Sequence, residues 1–269
     1  MEIVTVIAIL FFIAVAVVFS PLGLGGGVLY VPIFHYILEW DFQESVIGSL
    51  SLVFMVTLGS GLAHSKSGNA HEEAVKLGRI TAAPAAIVGT LLSGFMIDFI
   101  GDISIKIIAI FILLFVVQRT LKRMNIEEDS HNIDEDISSL SKQYQAGTSM
   151  AGLASGLIGI GGGAILVTLN RNLLKMDANT SSGTSYLIAS TIVPIALVSH
   201  LLLDDVNQNI IDNSGWIGII FVLSIVFSSA YFGAKYAIKN ISKNIVSKVF
   251  LVAVLLGIIR YLIDIGSRL

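Results

Sequence analysis

Two clusters of glycine interrupt strongly apolar sequence, and they constrain the fold of this chain more than any other feature. The first is Gly23-Leu24-Gly25-Gly26-Gly27, and the second is Gly159-Ile160-Gly161-Gly162-Gly163. A glycine in a helix interior costs about 1 kcal/mol relative to alanine, so each cluster predicts that a helix ends or turns there. In a membrane, such irregular backbone is tolerated only where it is buried in protein or lines a polar cavity.

The composition around the clusters is that of a membrane protein. Of the 269 residues, 55% are hydrophobic and 13% are charged, whereas soluble domains carry about 25% charged residues. Residues 3–19, 80–97 and 215–234 contain no charge and approach the roughly 20 residues that a spanning helix requires. The amino terminus lacks the basic segment and cleavage site of a signal peptide, so we expect the first apolar helix to be retained. Cysteine is absent, which excludes disulfides and thiolate metal sites.

The two clusters also mark an internal repeat. Placing residues 23–64 on residues 159–200 without a gap gives ten identities, which indicates a duplication. We therefore predict two transmembrane repeats, 1–118 and 145–269, joined by a flexible, acidic, cytoplasmic linker at 119–144. A segment of about 12 apolar residues follows each cluster, and at 1.5 Å per residue it is too short to cross the bilayer core.

The positions of Lys and Arg predict that the repeats are inverted relative to the membrane. Loop 64–79 holds three of these residues, whereas its counterpart, 204–214, holds three aspartates and neither Lys nor Arg. For a second pair of equivalent loops, the basic loop is in the other half: loop 171–180 contains Lys and Arg, whereas its counterpart in the first half, 35–44, contains neither. Cytoplasmic loops are rich in Lys and Arg, so equivalent loops of the two halves lie on opposite sides of the membrane. This arrangement requires that each half crosses the membrane an odd number of times. We predict an all-α integral membrane protein with two inverted repeats of about five helical segments each; eight plain spans are the alternative.

The glycine clusters predict the binding site as well. A turn that opens a helix leaves several backbone N–H groups unpaired, and the helix dipole places roughly half a positive charge there. Such helix ends bind anions without a basic side chain, and broken helices in corresponding halves are typical of a transporter's site. The predicted substrate-binding glycines are Gly25, Gly26, Gly27, Gly161, Gly162 and Gly163. Close packing of helices through small residues is the alternative interpretation.

Hydroxyl and imidazole side chains recur after both clusters. Ser49, Thr184 and Ser185 can donate hydrogen bonds to an oxyanion, although such residues also cap helices. His64 and His200 occupy the same repeat position and are candidates for gating or proton relay, with an interfacial histidine of no special role as the alternative. The spans hold almost no Asp or Glu away from their ends, which predicts no carboxylate for proton coupling.

The segments Gly23–Pro32 and Gly156–Gly163 resemble the motifs of the sulfite exporter TauE/SafE family. Each is followed about 20 residues later by a short element, Gly48-Ser49-Leu50 or Gly183-Thr184-Ser185. The resemblance covers nearly the whole chain outside the linker. It implies a permease for sulfur-containing or organic anions, such as sulfite, sulfonates or thiosulfate. The chain departs from the pattern where Thr168 replaces the proline of the first motif and where Gly48 replaces a threonine.

These observations predict a secondary transporter, an exporter rather than an enzyme, that works by alternating access in the cell membrane. Its expected partners are a small anion and the lipid bilayer. No nucleic acid, cofactor or metal is expected. The sequence leaves open whether the protein forms a homo-oligomer. The alternatives are an anion channel, or a membrane-embedded enzyme that uses His64 and His200 as acid and base.

Overall fold

The computed structural model describes residues 3–124, 137–240 and 243–268, and most of these residues are helical. The helices are α1 Ile3–Phe19, α2 Gly27–Tyr36, α3 Phe42–Lys66, α4 Glu72–Ile100, α5 Asp102–Met124, α6 Ile137–Ile158, α7 Gly163–Asn172, α8 Ala178–Leu203, α9 Asn207–Asn240 and α10 Lys243–Arg268. Helices α3, α4 and α8, and most of α5 and α9, are long and apolar enough to cross a membrane. The predicted all-α membrane fold is confirmed.

The order of helices is the same in α1–α5 and α6–α10. In each set the second helix is short, ten residues in both α2 and α7. The packing follows the same correspondence: α4 packs on α6 as α9 packs on α1, and α3 packs on α9 as α8 packs on α4. The second half therefore repeats both the elements of the first half and the contacts that they make across to the other half.

The equivalent helices α3 and α8 pack side by side and run in opposite directions. A β-carbon placed at Gly61 would lie 3.5 Å from that of Tyr186, and one placed at Gly183 would lie 3.2 Å from that of His64. The end of α3 therefore lies beside the start of α8. This antiparallel packing agrees with the inverted repeat, which stays a prediction of the charge pattern.

The two ends of the α3–α8 pair differ in their content of lysine and arginine, although Glu72, Glu73 and Asp177 lie at the end that is rich in these residues. The loop after α3 lies at the start of α8, where the His71 N–H donates a hydrogen bond of 3.0 Å to the Thr184 hydroxyl. Residues 37–40, before α3, and residues 210–214, after α8, line one cavity at the other end. We call the first end the basic face, because it carries Lys66, Lys76, Arg79, Arg171 and Lys175. We call the other the acidic face, because it carries Glu39, Asp41, Asp204, Asp205 and Asp212.

Several polar stretches that read as loops are helical. Helix α4 begins at Glu72, because the His71 side chain accepts a hydrogen bond from the Ala74 N–H at 3.3 Å and caps the first turn. Helix α9 begins at Asn207 and contains one non-helical residue, Gly215, with φ 65°. The predicted linker, 119–144, is helical at both ends. Its acidic centre lies outside the described residues, so the division into two repeats at this linker stays a prediction.

Small residues bring α4 and α6 into backbone contact. A β-carbon at Gly152 would collide with the carbonyl oxygen of Ala82, and one at Gly156 would collide with that of Ala86. Such positions let two helices approach closely in a membrane. Close packing through small residues, which was the alternative interpretation of the glycine clusters, is therefore found between α4 and α6, before the second cluster.

We expect Gly152→Leu to lower the thermal midpoint of unfolding in detergent, because inserting a side chain into a filled interface costs about 1–3 kcal/mol. The matched control is Gly94→Leu on α4, where no atom lies within 4 Å of the position that a β-carbon would take. The control should unfold at the wild-type temperature or slightly above it. Equal midpoints for both variants would contradict the described contact between α4 and α6.

Candidate functional site

Both glycine clusters form left-handed turns that open a short helix. The same three positions of each cluster have positive φ, and the last of them, Gly26 (φ 85°) and Gly162 (φ 69°), are the N-caps of α2 and α7. Side chains rarely adopt this backbone conformation, so glycine is required at the caps. Neither N-cap has a side-chain hydrogen bond. The predicted breaks are therefore present, and they end in uncapped helix starts.

The two turns meet each other at the centre of the protein. A β-carbon at Gly27 would lie 2.6 Å from the Ile160 Cα, and one at Gly163 would lie 2.6 Å from the Gly23 carbonyl oxygen. Only glycine permits such an approach of two backbones. Val53, near the midpoint of α3, contacts the turns at both Gly25 and Gly161. The six predicted glycines are thus brought together, near the middle of a spanning helix.

The electrostatics of this region favour a negative charge. The first N–H groups of a helix have no partner within the helix, and residues 25–28 and 161–164 are buried. A buried polar group without a hydrogen-bond partner is costly. Two abutting helix starts add about half a positive charge each, and these partial charges repel one another. An anion beside the turns would accept hydrogen bonds from the first N–H groups of α2 and α7 and offset this repulsion, whereas the backbone of Gly23, Leu24 and Gly25 already interacts with the Tyr186 hydroxyl.

The three predicted hydroxyl side chains have different positions. Ser49 is buried at the turns, and its hydroxyl donates a 2.8 Å hydrogen bond to the Gly159 carbonyl of the opposite turn. Thr184 accepts a bond from the loop at the basic face. Ser185 accepts one of 3.1 Å from the Asn170 amide on α7. Ser49 is therefore the hydroxyl that the structure brings to the glycine turns.

Both predicted histidines are buried and contact the helix that precedes a glycine turn. The His64 Nε2 lies 3.3 Å from the Ser20 carbonyl oxygen, and the His200 Nε2 lies 2.6 Å from that of Gly156. Ser20 and Gly156 are equivalent in the repeat, so this contact occurs twice. Each histidine therefore contacts a backbone carbonyl at or near the end of α1 or α6. This contact differs from the alternative interpretation, in which the histidines lie at the membrane interface without a special role. A role in gating or proton relay stays a prediction.

A cavity of about 780 Å³ opens between α1, α9 and the ends of α2 and α3. Its walls are largely apolar, with polar groups from Thr5, Glu39, Ser51, Asn213 and Ser214. Residues at the acidic face, among them Glu39, Asn213 and Ser214, line one part of it. Leu52 also lines it and precedes Val53, which contacts both turns. The cavity therefore extends from residues of the acidic face to a residue beside the one that contacts the turns.

The packing of α1 on α9, which line the cavity, differs from the packing of the equivalent helices, α6 on α4. Helices α1 and α9 approach closely where Gly233 faces Val17 and Ser20, and between Phe12 and Leu223 they line the cavity. The counterparts, α6 and α4, are in backbone contact at Gly152 and Gly156. A cavity thus lies between α1 and α9, and close backbone contact is found between α6 and α4.

Sequence reasoning missed two buried polar groups. The Tyr186 hydroxyl donates a 2.7 Å hydrogen bond to the Phe19 carbonyl and joins α8 to the end of α1. Lys106 is fully buried, and its ammonium lies 2.7 Å from Asp102 and 2.6 Å from Asp264, which joins α5 to α10. A lone lysine in an apolar span was the available signal, since such residues are normally paired. Nothing local marks the tyrosine, whose partner is distant in sequence.

We expect Ser49→Ala to lower the free energy of unfolding by about 1–3 kcal/mol, because it leaves a buried carbonyl at the glycine turn without its donor. Ser51→Ala is the matched control, since that hydroxyl bonds the Ile47 carbonyl of its own helix at 2.8 Å. Denaturant titration in detergent measures both. A Ser49→Ala protein as stable as the control would show that this bond does not brace the turns.

Comparison with known proteins agrees with the geometry. The family model described as "Sulfite exporter TauE/SafE" matches residues 7–261. A "Probable membrane transporter protein" of Haemophilus influenzae is 31% identical over 54% of this chain and 54% of its own length, so the match covers about half of that relative. "Probable membrane transporter protein MJ0441" of Methanocaldococcus jannaschii is 26% identical over 80% of each chain. "Probable membrane transporter protein YunE" of Bacillus subtilis is 26% identical over 88% of this chain and 90% of its own.

A comparison with solved structures finds no match. The family model covers most of the chain and includes both glycine turns, both histidines and the spanning helices. The resemblance seen in the sequence motifs is confirmed, as is the membrane location. The chain is a multi-pass transporter of the cell membrane and belongs to the sulfite exporter TauE/SafE family.

Proposed function

We propose that this protein is a secondary transporter that exports small sulfur-containing or organic anions, such as sulfite, sulfonates or thiosulfate. The observation that carries the proposal is the meeting of two uncapped, buried helix starts at the centre of the protein. The description of its family as a sulfite exporter supports both the class of anion and the direction.

The anion is held by backbone N–H groups of the two turns, Gly25–Gly27 and Gly161–Gly163. Two helix starts together offer about one positive charge, which favours the binding of a small anion. Ser49 positions the turns through the Gly159 carbonyl, and Thr184 and Ser185 position the start of α8 beside them. The substrate is therefore recognised by charge and close backbone approach.

Transport proceeds by alternating access between inverted repeats. The antiparallel packing of α3 and α8 and the separation of basic and acidic loops support the inversion. The basic face is cytoplasmic, so the cavity between α1 and α9 opens outward. In the other state, α1 and α9 close as α4 and α6 do here, and α4 and α6 separate. This exchange between related halves is the usual mechanism of inverted repeats.

We expect Gly25→Asp to weaken anion binding at least tenfold more than Gly25→Asn, a difference of about 1.4 kcal/mol. Both side chains tolerate left-handed backbone, and the β-carbon would meet a single atom within 4 Å, a Val53 methyl at 3.1 Å. The variants have the same shape, but only the aspartate places a competing negative charge at the turns. The measurement is the rise in thermal midpoint with sulfite, thiosulfate, ethanesulfonate or acetate. Equal binding by the two variants would place the anion elsewhere.

We expect single cysteines at Glu72 and Gln208 to react with an impermeant maleimide from opposite sides of the membrane. The chain has no cysteine of its own, so intact cells and inverted vesicles can be labelled without background. Lys175→Cys is the control and should react from the same side as Glu72→Cys. Labelling of Glu72→Cys and Gln208→Cys from one side would reject the inverted arrangement.

A further inference from the structure

A buried acid–base pair lies at the end of α8, where the sequence predicted no carboxylate for proton coupling. The His200 Nδ1 is 2.7 Å from the Asp204 carboxylate, and the His200 Nε2 is 2.6 Å from the Gly156 carbonyl. The two side chains are 1% and 5% exposed. Ionisable groups are rarely buried unless they are paired, and this pair is buried where a spanning helix ends at the acidic face. This pair is therefore a candidate for a role beyond packing.

The hydrogen bonds fix the number of protons on the pair. The Gly156 carbonyl can only accept, so the His200 Nε2 carries a proton. The short contact between Nδ1 and the carboxylate needs a second proton. With both protons the pair is neutral, and with one it has a net negative charge. Loss of a proton leaves two acceptors facing each other, so the link from α8 to the end of α6 depends on protonation.

The first repeat shows that the carboxylate is not needed to hold a helix end. His64 makes the same contact with the Ser20 carbonyl, but Gly68 stands at the position equivalent to Asp204. The His64 Nδ1 is buried and has no hydrogen-bond partner. The histidine–carbonyl contact thus belongs to both halves, and the acid is an addition to the second half.

No charged side chain described near the pair formed by His200 and Asp204 takes the place of its proton in neutralising the carboxylate. On the helices packed against α8, the ionisable groups toward this end are Glu44 of α3, which caps its own helix, and Asp98 of α4, which is exposed. The ionisable residues described in α6 and α7 lie toward the basic face. Asp205 follows on the surface. Within the described part of the chain, no lysine or arginine lies within 4 Å of Asp204.

We propose that His200 and Asp204 bind a proton that crosses the membrane together with the anion. This inference rests on the proposed function. Gly156 lies three residues before the second glycine turn, so the pair and the anion site are joined by one turn of helix. Because the pair is neutral with its proton and negative without it, protonation strengthens anion binding nearby. A monoanion and a proton then move together without net charge, so export requires an outward gradient of the anion that exceeds the inward gradient of protons.

The first experiment needs no anion. Nitrogen NMR of histidine-labelled protein reports the ring protons, and the His200 signal, one of five histidines, is assigned by its loss in His200→Gln. We expect two protonated ring nitrogens in the wild type and one in Asp204→Asn. Asp205→Asn, the exposed neighbour, should match the wild type. A bare nitrogen in the wild-type His200 ring beside an ionised Asp204, read from its carboxyl carbon signal, overturns the proposal.

The second experiment follows protons and ethanesulfonate in vesicles that contain a pH-sensitive dye. We expect the wild type and Asp205→Asn to move one proton with each anion. Asp204→Asn should keep the exchange of ethanesulfonate for ethanesulfonate and lose at least nine-tenths of the proton movement. Ethanesulfonate transport by the wild type without protons overturns the proposal. If the wild type moves neither ethanesulfonate, sulfite nor thiosulfate, the proposed function fails and coupling fails with it, even where the first experiment finds the proton.

Discussion

Contact between two positive helix ends is the constraint on which the rest of this structure depends. Gly27 and Gly163 let the backbones touch, but the partial charges at the starts of α2 and α7 repel each other. The surrounding helices hold the turns in place against that repulsion. Ser49 bonds the opposite turn, and each histidine bonds the helix that leads into a turn. The doubled glycine motif therefore specifies two turns in contact, and the proposed anion site depends on the surrounding helices that keep them together.

The two halves have the same order of helices and the same turns, and they differ in how their helices pack. The histidine–carbonyl contact occurs in both, as do the left-handed turns and the short helices. The packing of α1 on α9 encloses a cavity, whereas that of α6 on α4 does not leave room for a side chain at Gly152. Two arrangements of equivalent helices in one molecule show that both are compatible with this fold. This compatibility supports the proposed exchange between the two arrangements.

The parts of the fold that local chemistry determines could be predicted from the sequence. Glycine clusters in apolar surroundings, the lengths of the apolar runs and the repeat gave the helix order and the broken segments. Contacts between distant residues could not be predicted, such as the bond from Ser49 to a carbonyl 110 residues away. Asp204 was missed because it ends an apolar run and precedes Asp205, which is the pattern of a surface loop. Residues 72–79 were read as loop because their charges belong to the capped first turns of α4.

A site built from helix ends has a consequence that a lysine or arginine site would not share. A basic side chain at the same depth would carry a full charge through the bilayer each time the empty transporter returned, and burying that charge is costly. Backbone dipoles attract an anion while the protein at the site remains neutral overall. In the proposed cycle the empty carrier therefore returns without a positive charge fixed at the anion site, and only the pair formed by His200 and Asp204 is charged, because its proton has left with the anion. The loaded and the empty forms then have the same net charge, so one cycle moves one anion and one proton without net movement of charge.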